Sequence, residues 1–115
     1  MAATWYSIRL LFVSEIQGQP ERDRLCEESV IVVHEVDEIS ARRTAERLGV
    51  AMQHAYLNEQ GESVEWRFVR ILEIQDLCED RLESGTEVWS RLFRESQAED
   101  PNVISSLSEA SSASQ

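Results

Sequence analysis

Residues 63–74 read S-V-E-W-R-F-V-R-I-L-E-I, and the side they turn inward decides the fold. Val64, Trp66, Phe68, Leu72 and Ile74 share one parity; Glu65, Arg67, Val69, Ile71 and Glu73 share the other. That alternation belongs to a strand with one buried face, because successive side chains leave the pleat on opposite sides. Arg70 breaks the apolar parity, which predicts a bulge or a strand that outruns its neighbour. One bulge would reverse the facing of every later residue.

Toward the N-terminus, residues 5–13 alternate in the same way, with Tyr6, Ile8, Leu10 and Phe12 on one face. A polar stretch, 14–28, holds Gly18, Pro20 and a cluster of charges and predicts a long hairpin loop. Ser29–Val36 is β-branched and apolar on both faces, as a central strand would be. Asp37 then stands as an N-cap. Ala41, Ala45, Leu48, Met52 and Ala55 recur at spacings of four and three, one stripe of an amphipathic helix. Arg42, Arg43, Glu46 and Arg47 face away from that stripe. Gly49 costs about 1 kcal/mol inside such a helix and predicts a kink, and residues 58–61, N-E-Q-G, end it. Toward the C-terminus, 75–83 predicts a short helix stopped at Gly85, and Thr86–Arg94 a last strand.

The expected class is therefore α+β, a four-stranded, mainly antiparallel sheet in the order β-β-α-β-α′-β with one long helix packed on one face. Its core should hold Ile8, Leu10, Phe12, Val30, Val32, Trp66, Phe68, Val88 and Leu92. The other parity, with Trp5, Arg9, Arg67, Trp89, Arg91 and Phe93 prominent in it, faces away from the helix. Three strand-like runs thus pair an aromatic ring with a nearby arginine. Guanidinium groups stacked on rings and paired with glutamates are ordinary cover for a half-exposed sheet. They are also the residue types enriched where interfaces hold most of their energy. These six residues form the candidate interaction face.

Composition narrows the partners. There are 22 acids against 11 bases, every base is arginine, and the net charge is −11. Arginine used without lysine fits a G+C-rich genome, and the negative balance repels phosphate backbones at long range. Residues 95–115 are rich in serine and alanine, carry four of the acids and no base, and predict a disordered tail after a single domain at 1–94. The N-terminus has no basic segment followed by an apolar one, and no apolar run could span a bilayer. A cytoplasmic location is expected.

Chemistry is hard to find. No G-x-S-x-G, no S-x-x-K and no glycine-rich phosphate loop occurs; the four glycines stand singly at 18, 49, 61 and 85. Cys26 and Cys78 predict two free, partly buried thiols, and with His34 and His54 they match no zinc-ligand spacing. His34 reads as a satisfied core histidine and His54 as exposed on the helix flank. Adjacent acids such as Glu27-Glu28, Asp37-Glu38 and Glu79-Asp80 are ordinary solvated pairs. No catalytic residue, metal or cofactor is expected.

The strings W-Y-S-I-R-L-L-F at 5–12 and G-T-E-V-W-S-R-L-F at 85–93, with S-V-I-V-V and W-R-F-V between them, resemble a family of small bacterial proteins, the domain-of-unknown-function family numbered 4288. The resemblance covers roughly 4–94, and Trp89 stands where a tyrosine is expected. It implies a small cytosolic protein with no activity or catalytic residue to carry over, and it includes Trp5, Arg9, Trp66, Arg67, Gly85, Ser90 and Arg91 in the family pattern.

The expected role is a non-enzymatic interaction module that self-associates as a homodimer, face to face or through a paired edge strand, or binds another protein. An immunity-like protein that blocks a basic toxin through acidic loops at 21–28 and 76–83 is the alternative. A third possibility is a sheet-face binder of single-stranded nucleic acid, stacking bases on Trp5 and Trp89, although its charge opposes this.

Overall fold

The computed structural model describes residues 2–19 and 23–113. Positions 20–22 of the expected hairpin loop and acidic loop, and 1, 114 and 115 at the two ends, lie outside the described residues. Strand β1 (Thr4–Ile16) is followed by β2 (Cys26–Glu35), helix α1 (Glu38–Ala51), the short β3 (His54–Leu57) and β4 (Ser63–Asp76). Every pairing is antiparallel and the sheet order is β2-β1-β4-β3. The α+β class holds, with a four-stranded antiparallel sheet and α1 on one face.

The core forms where the alternation of β1 meets α1. Tyr6, Ile8, Leu10 and Phe12 are all buried, together with Val33, Ala41 and Ala45. Asp37 caps α1 as expected, its carboxylate accepting from the Ser40 backbone N–H at 2.7 Å. That hydrogen bond is also the main reason the Asp37 carboxyl is held below the usual carboxylate range. The buried stripe of α1 is Ala41, Ala45 and Gly49, small enough to bring the helix axis close to the sheet. Gly49 marks this close approach and not a kink. A Cβ there would lie 2.8 Å from the Phe68 ring.

Register corrects the reading of β2. Ile31 pairs with Ile8 and Val33 with Tyr6, so these two face the helix. Val30 and Val32, expected inside, face the other way, and Val30 is 45% exposed. A run that is apolar on both faces carries no parity of its own; only the partner strand assigns one. Nor is β2 central. It lies at the edge, and β1 takes the middle.

The expected irregularity at Arg70 is present as two register shifts, opposite Arg9/Leu10 and Leu11/Phe12. They leave Val69 and Leu72 without direct partners on β1 and bring Ile71 opposite Leu10, in line with Phe68 and Ile74 on the core side. Ile71, expected on the far face, thereby packs against the core. Two one-residue bulges cancel, so the ends of β4 keep the expected facing.

Helix α1 stops four residues before Ala55. The Gln53 side chain accepts from the Phe68 N–H at 3.0 Å, and His54–Leu57 turns back as an edge strand on Ser63–Trp66. The N-E-Q-G stretch is the tight turn of that hairpin and does not terminate the helix. Asn58 Oδ1 accepts from the backbone N–H groups of Gln60 and Glu62, and Gly61 has φ +77°.

The fourth strand of the sheet is therefore β3, and the segment expected to supply it, 86–94, joins no ladder. The short helix expected at 75–83 is absent as well. Gln75 and Asp76 still belong to β4, and Cys78 takes φ +57° with its N–H bonded to the Asp76 carboxylate. Residues 77–94 form an irregular strap, which leaves Val88 41% and Leu92 100% exposed instead of buried. Beyond it, the segment expected to be disordered contains a 3-10 turn (Glu95–Gln97) and helix α2 (Pro101–Ala113), with Val103 half-buried and its neighbours over 101–110 exposed.

Candidate functional site

The six residues of the candidate face are distributed as one cluster and several outliers. Arg9 stands at the middle of the face away from α1. Its guanidinium binds the Glu28 carboxylate at 3.2 Å and that of Glu73 at 3.3 Å. It also lies 5.7 Å from the centre of the Trp89 ring, and the Trp89 indole N–H donates to the same Glu73 oxygen at 3.2 Å. Gln75 completes the cluster. Its amide donates to Glu73 and to the Ser90 carbonyl, while its oxygen accepts from the Ser90 N–H. One side chain thus holds the strap as a strand would, by a backbone N–H and a backbone C=O.

At the start of β1 the strap is held by main chain alone. Leu77 N–H donates to the Trp5 carbonyl at 2.9 Å, and Trp5 N–H to the Glu79 carbonyl at 2.7 Å. The Trp5 ring stacks on His34 at 4.7 Å and 18°. His34 is exposed and faces this side of the sheet, which corrects its reading as a core histidine. Arg67 lies at the other end, sharing the Glu15 carboxylate with Arg24. Arg91 covers Phe93 at 4.9 Å on the strap itself. Of the six, Arg9 meets Trp89 across the sheet and Arg91 meets Phe93 within the strap, while Trp5 and Arg67 stand apart from both pairs. Glu73, the partner that Arg9 and Trp89 share, and Glu28 and Gln75 beside it were not among the candidate site residues; the parity of Glu73 with the far face was the available signal.

The strap therefore covers part of the surface that one helix leaves open, and Ser7, beneath it on β1, is 1% exposed with its hydroxyl lacking a hydrogen-bond partner. The Glu73 carboxyl is held below its ordinary range, first by the Gln75 amide, then by the Trp89 indole and by Arg9, with burial opposing them. A group depressed in the folded state gives stability that is complete above its ordinary value of 4.5 and is lost as pH falls through the lower folded value. The strap is expected to stay docked down to the ordinary glutamate range and to detach only below it. Tryptophan emission, recorded with Trp5→Phe and Trp66→Phe to isolate Trp89, should shift to the red there. Glu73→Ala should show the red shift already at neutral pH; unchanged emission in that variant would mean that Glu73 does not hold the ring.

The remaining chemistry is dispersed. Cys26 and Cys78 are free and both exposed, which corrects their reading as partly buried. Among the described residues no three of the His, Cys, Asp and Glu side chains are placed to hold a metal ion. No helix among them is long and apolar enough to cross a membrane. A cleft of about 440 Å3 bordered by Ile16, Leu25, Tyr56, Val64 and Trp66 has no histidine or cysteine in its lining.

The other open feature is β2. Its ten residues pair with β1 in one unbroken register, and no described strand takes their outer side. Among the described residues the outer side of β4 beyond Phe68 also pairs with no strand, but the two bulges interrupt it.

Fold and site together define a small α+β protein: a four-stranded antiparallel sheet with a helix on one face, a strap across part of the other and one long open edge. The chain belongs to the family described as Domain of unknown function (DUF4288), which matches residues 5–90, from Trp5 to the Ser90 that Gln75 grips. No curated protein and no solved structure matches it.

Proposed function

We propose that this chain is a non-enzymatic protein-interaction module that works by strand addition at the β2 edge. A free edge strand presents a row of backbone donors and acceptors and is a template for another extended chain. Natural sheets blunt such edges with bulges, proline, charged side chains or a covering segment. Cys26–Glu35 has no bulge and no proline, its acids Glu27, Glu28 and Glu35 stand toward its ends, and its middle, S-V-I-V-V, is uncharged. That unblocked register is the observation that carries the reading. The β4 edge, broken twice, is the weaker template.

The Trp/Arg face supports the interaction reading less directly than its composition suggested. Arg9 and Trp89 already satisfy one another through Glu73, and Trp5 lies against His34. Engaged rings also weigh against base stacking on Trp5 and Trp89.

The test is hydrogen exchange of the full chain in buffer and in cell extract. The amides of β2 should slow in extract while those of the central β1 stay unchanged. Val30→Lys places an edge-blocking charge on a half-exposed position and should abolish the effect without changing the thermal midpoint. Exchange at β2 that is indifferent both to extract and to chain concentration would overturn the reading.

A further inference from the structure

An occupant of the β2 edge is present in this chain, taking the strand-addition reading as given. Residues 86–94, T-E-V-W-S-R-L-F-R, are rich in strand-forming types, yet they join no ladder. In the strap Leu92 is fully exposed, and Val88 and Phe93 are half-exposed. The segment is held there by Gln75 on Ser90 and by Glu73 and Arg9 on Trp89. Beneath it the Ser7 hydroxyl and the Arg9 Nε are buried without a hydrogen-bond partner among the described residues. Buried polar atoms left unpaired disfavour the docked strap.

The edge lies within reach of this segment. The chain is held beside β1 as far as Glu79, whose carbonyl accepts from the Trp5 N–H. That is the end of the sheet where β2 also finishes, with His34 opposite Trp5 and Glu35 opposite Thr4. Passing β1 and β2 to the outer side of β2 requires about 14 Å, three spacings of about 4.8 Å. Residues 80–85, when extended, reach about 20 Å. From there 86–94 runs antiparallel to β2.

We infer that 86–94 exchanges between the strap and the outer edge of β2 in the same chain, where Thr86 stands opposite Glu35 and Arg94 opposite Glu27. In this register Val88 lies beside Val33 and Leu92 beside Ser29, both on the helix side. Trp89, Arg91 and Phe93 fall on the far side, beside Val32, Val30 and Glu28. The charges match as well. Arg94 faces Glu27, Glu87 faces His34, and Arg91 is diagonal to Glu28. A shift of two residues one way sets Leu92 against Glu27 and Glu87 against Val32; a shift the other way carries Glu87 past the end of β2. The docked strap leaves the edge open to a partner strand, and the same segment in its second place closes it. Residues 86–94 are thus an intramolecular competitor for the site.

Disulfide trapping in the full chain tests this. In a Cys26→Ser, Cys78→Ser background, Ser29→Cys and Leu92→Cys place thiols opposite one another on the helix side, whereas the strap lies on the far side. Mild oxidation should form a bridge within one chain, at a rate independent of protein concentration. It should form at least about tenfold faster than with Ser29→Cys and Phe93→Cys, whose side chains leave opposite faces. Glu27→Arg should slow trapping by about two- to fivefold, and adding Arg94→Glu should restore it. With the bridge formed, the β2 amides should exchange slowly in buffer and gain nothing from extract. Gln75→Ala, which releases Ser90 and needs no cysteine, should by itself slow the β2 amides in buffer. A bridge no faster than the mismatched pair overturns the inference, as does a bridge that joins two chains. Should the cysteine variants not fold, β2 amides that Gln75→Ala leaves unchanged overturn it equally. If the wild-type β2 amides still slow in extract after such a failure, the strand-addition reading stands with another occupant; if they do not, both fall.

Discussion

Ile8→Ala should remove about 2–5 kcal/mol of stability, the range for emptying a fully enclosed aliphatic site. Ile8 is 0% exposed. It is flanked by Ile31 on β2 and Ile74 on β4, within the cluster closed by Ala41 and Ala45 of α1. Neighbours that are held in register on both sides cannot collapse far into the space left, so the upper part of the range is expected. For a domain whose total stability is on the order of 5–15 kcal/mol, this is a large fraction. Urea denaturation should show a lower midpoint with an unchanged slope. Leu92→Ala is the informative control. Its periodicity places it inside, yet the side chain is fully exposed, and its removal should change stability by less than about 0.5 kcal/mol. Equal losses at the two positions would restore 86–94 to the sheet.

Gly49→Ala sets two effects against each other. Alanine favours the helix over glycine by about 1 kcal/mol. The added methyl, however, would lie 2.8–2.9 Å from three atoms of the Phe68 ring. That ring is wedged against Phe12 at 5.7 Å, and the Phe68 N–H is held by Gln53, so neither side chain nor backbone is free to move away. Overpacking costs about 1–3 kcal/mol, and the net expectation is destabilisation despite the better helix former. Phe68→Leu should absorb part of this loss. A double-mutant cycle should give a coupling energy of about 0.5–3 kcal/mol, whereas additive effects would place the glycine's role elsewhere. A Gly49→Ala protein more stable than wild type would mean that the helix does not approach the sheet at Phe68.

The parts legible in advance were those whose pattern is local. Tyr6, Ile8, Leu10 and Phe12 alternate cleanly and all four are buried. Asp37 before the helix is a cap that needs only the backbone three residues on. Arg70 announced an irregularity, and register shifts stand on either side of it. The candidate face was half legible. Arg9 and Trp89 do meet, but through Glu73 and Gln75, whose roles depend on the register of β1 against β4. His34 met Trp5 because β2 follows β1 in one register and presents its even positions on the far face.

The sequence by itself determined the α+β class, the buried face of β1, the start of α1 and the acidic balance, since periodicity, capping and charge belong to neighbouring residues. Only the tertiary structure decided which side of β2 faces the helix, that Cys26–Glu35 lies at the edge, and that 86–94 is a strap. Each of these depends on which backbone donors and acceptors find partners across the sheet. Ser29–Val36 and Thr86–Arg94 are both rich in strand-forming residues; one found a ladder along β1, and the other found the side chain of Gln75.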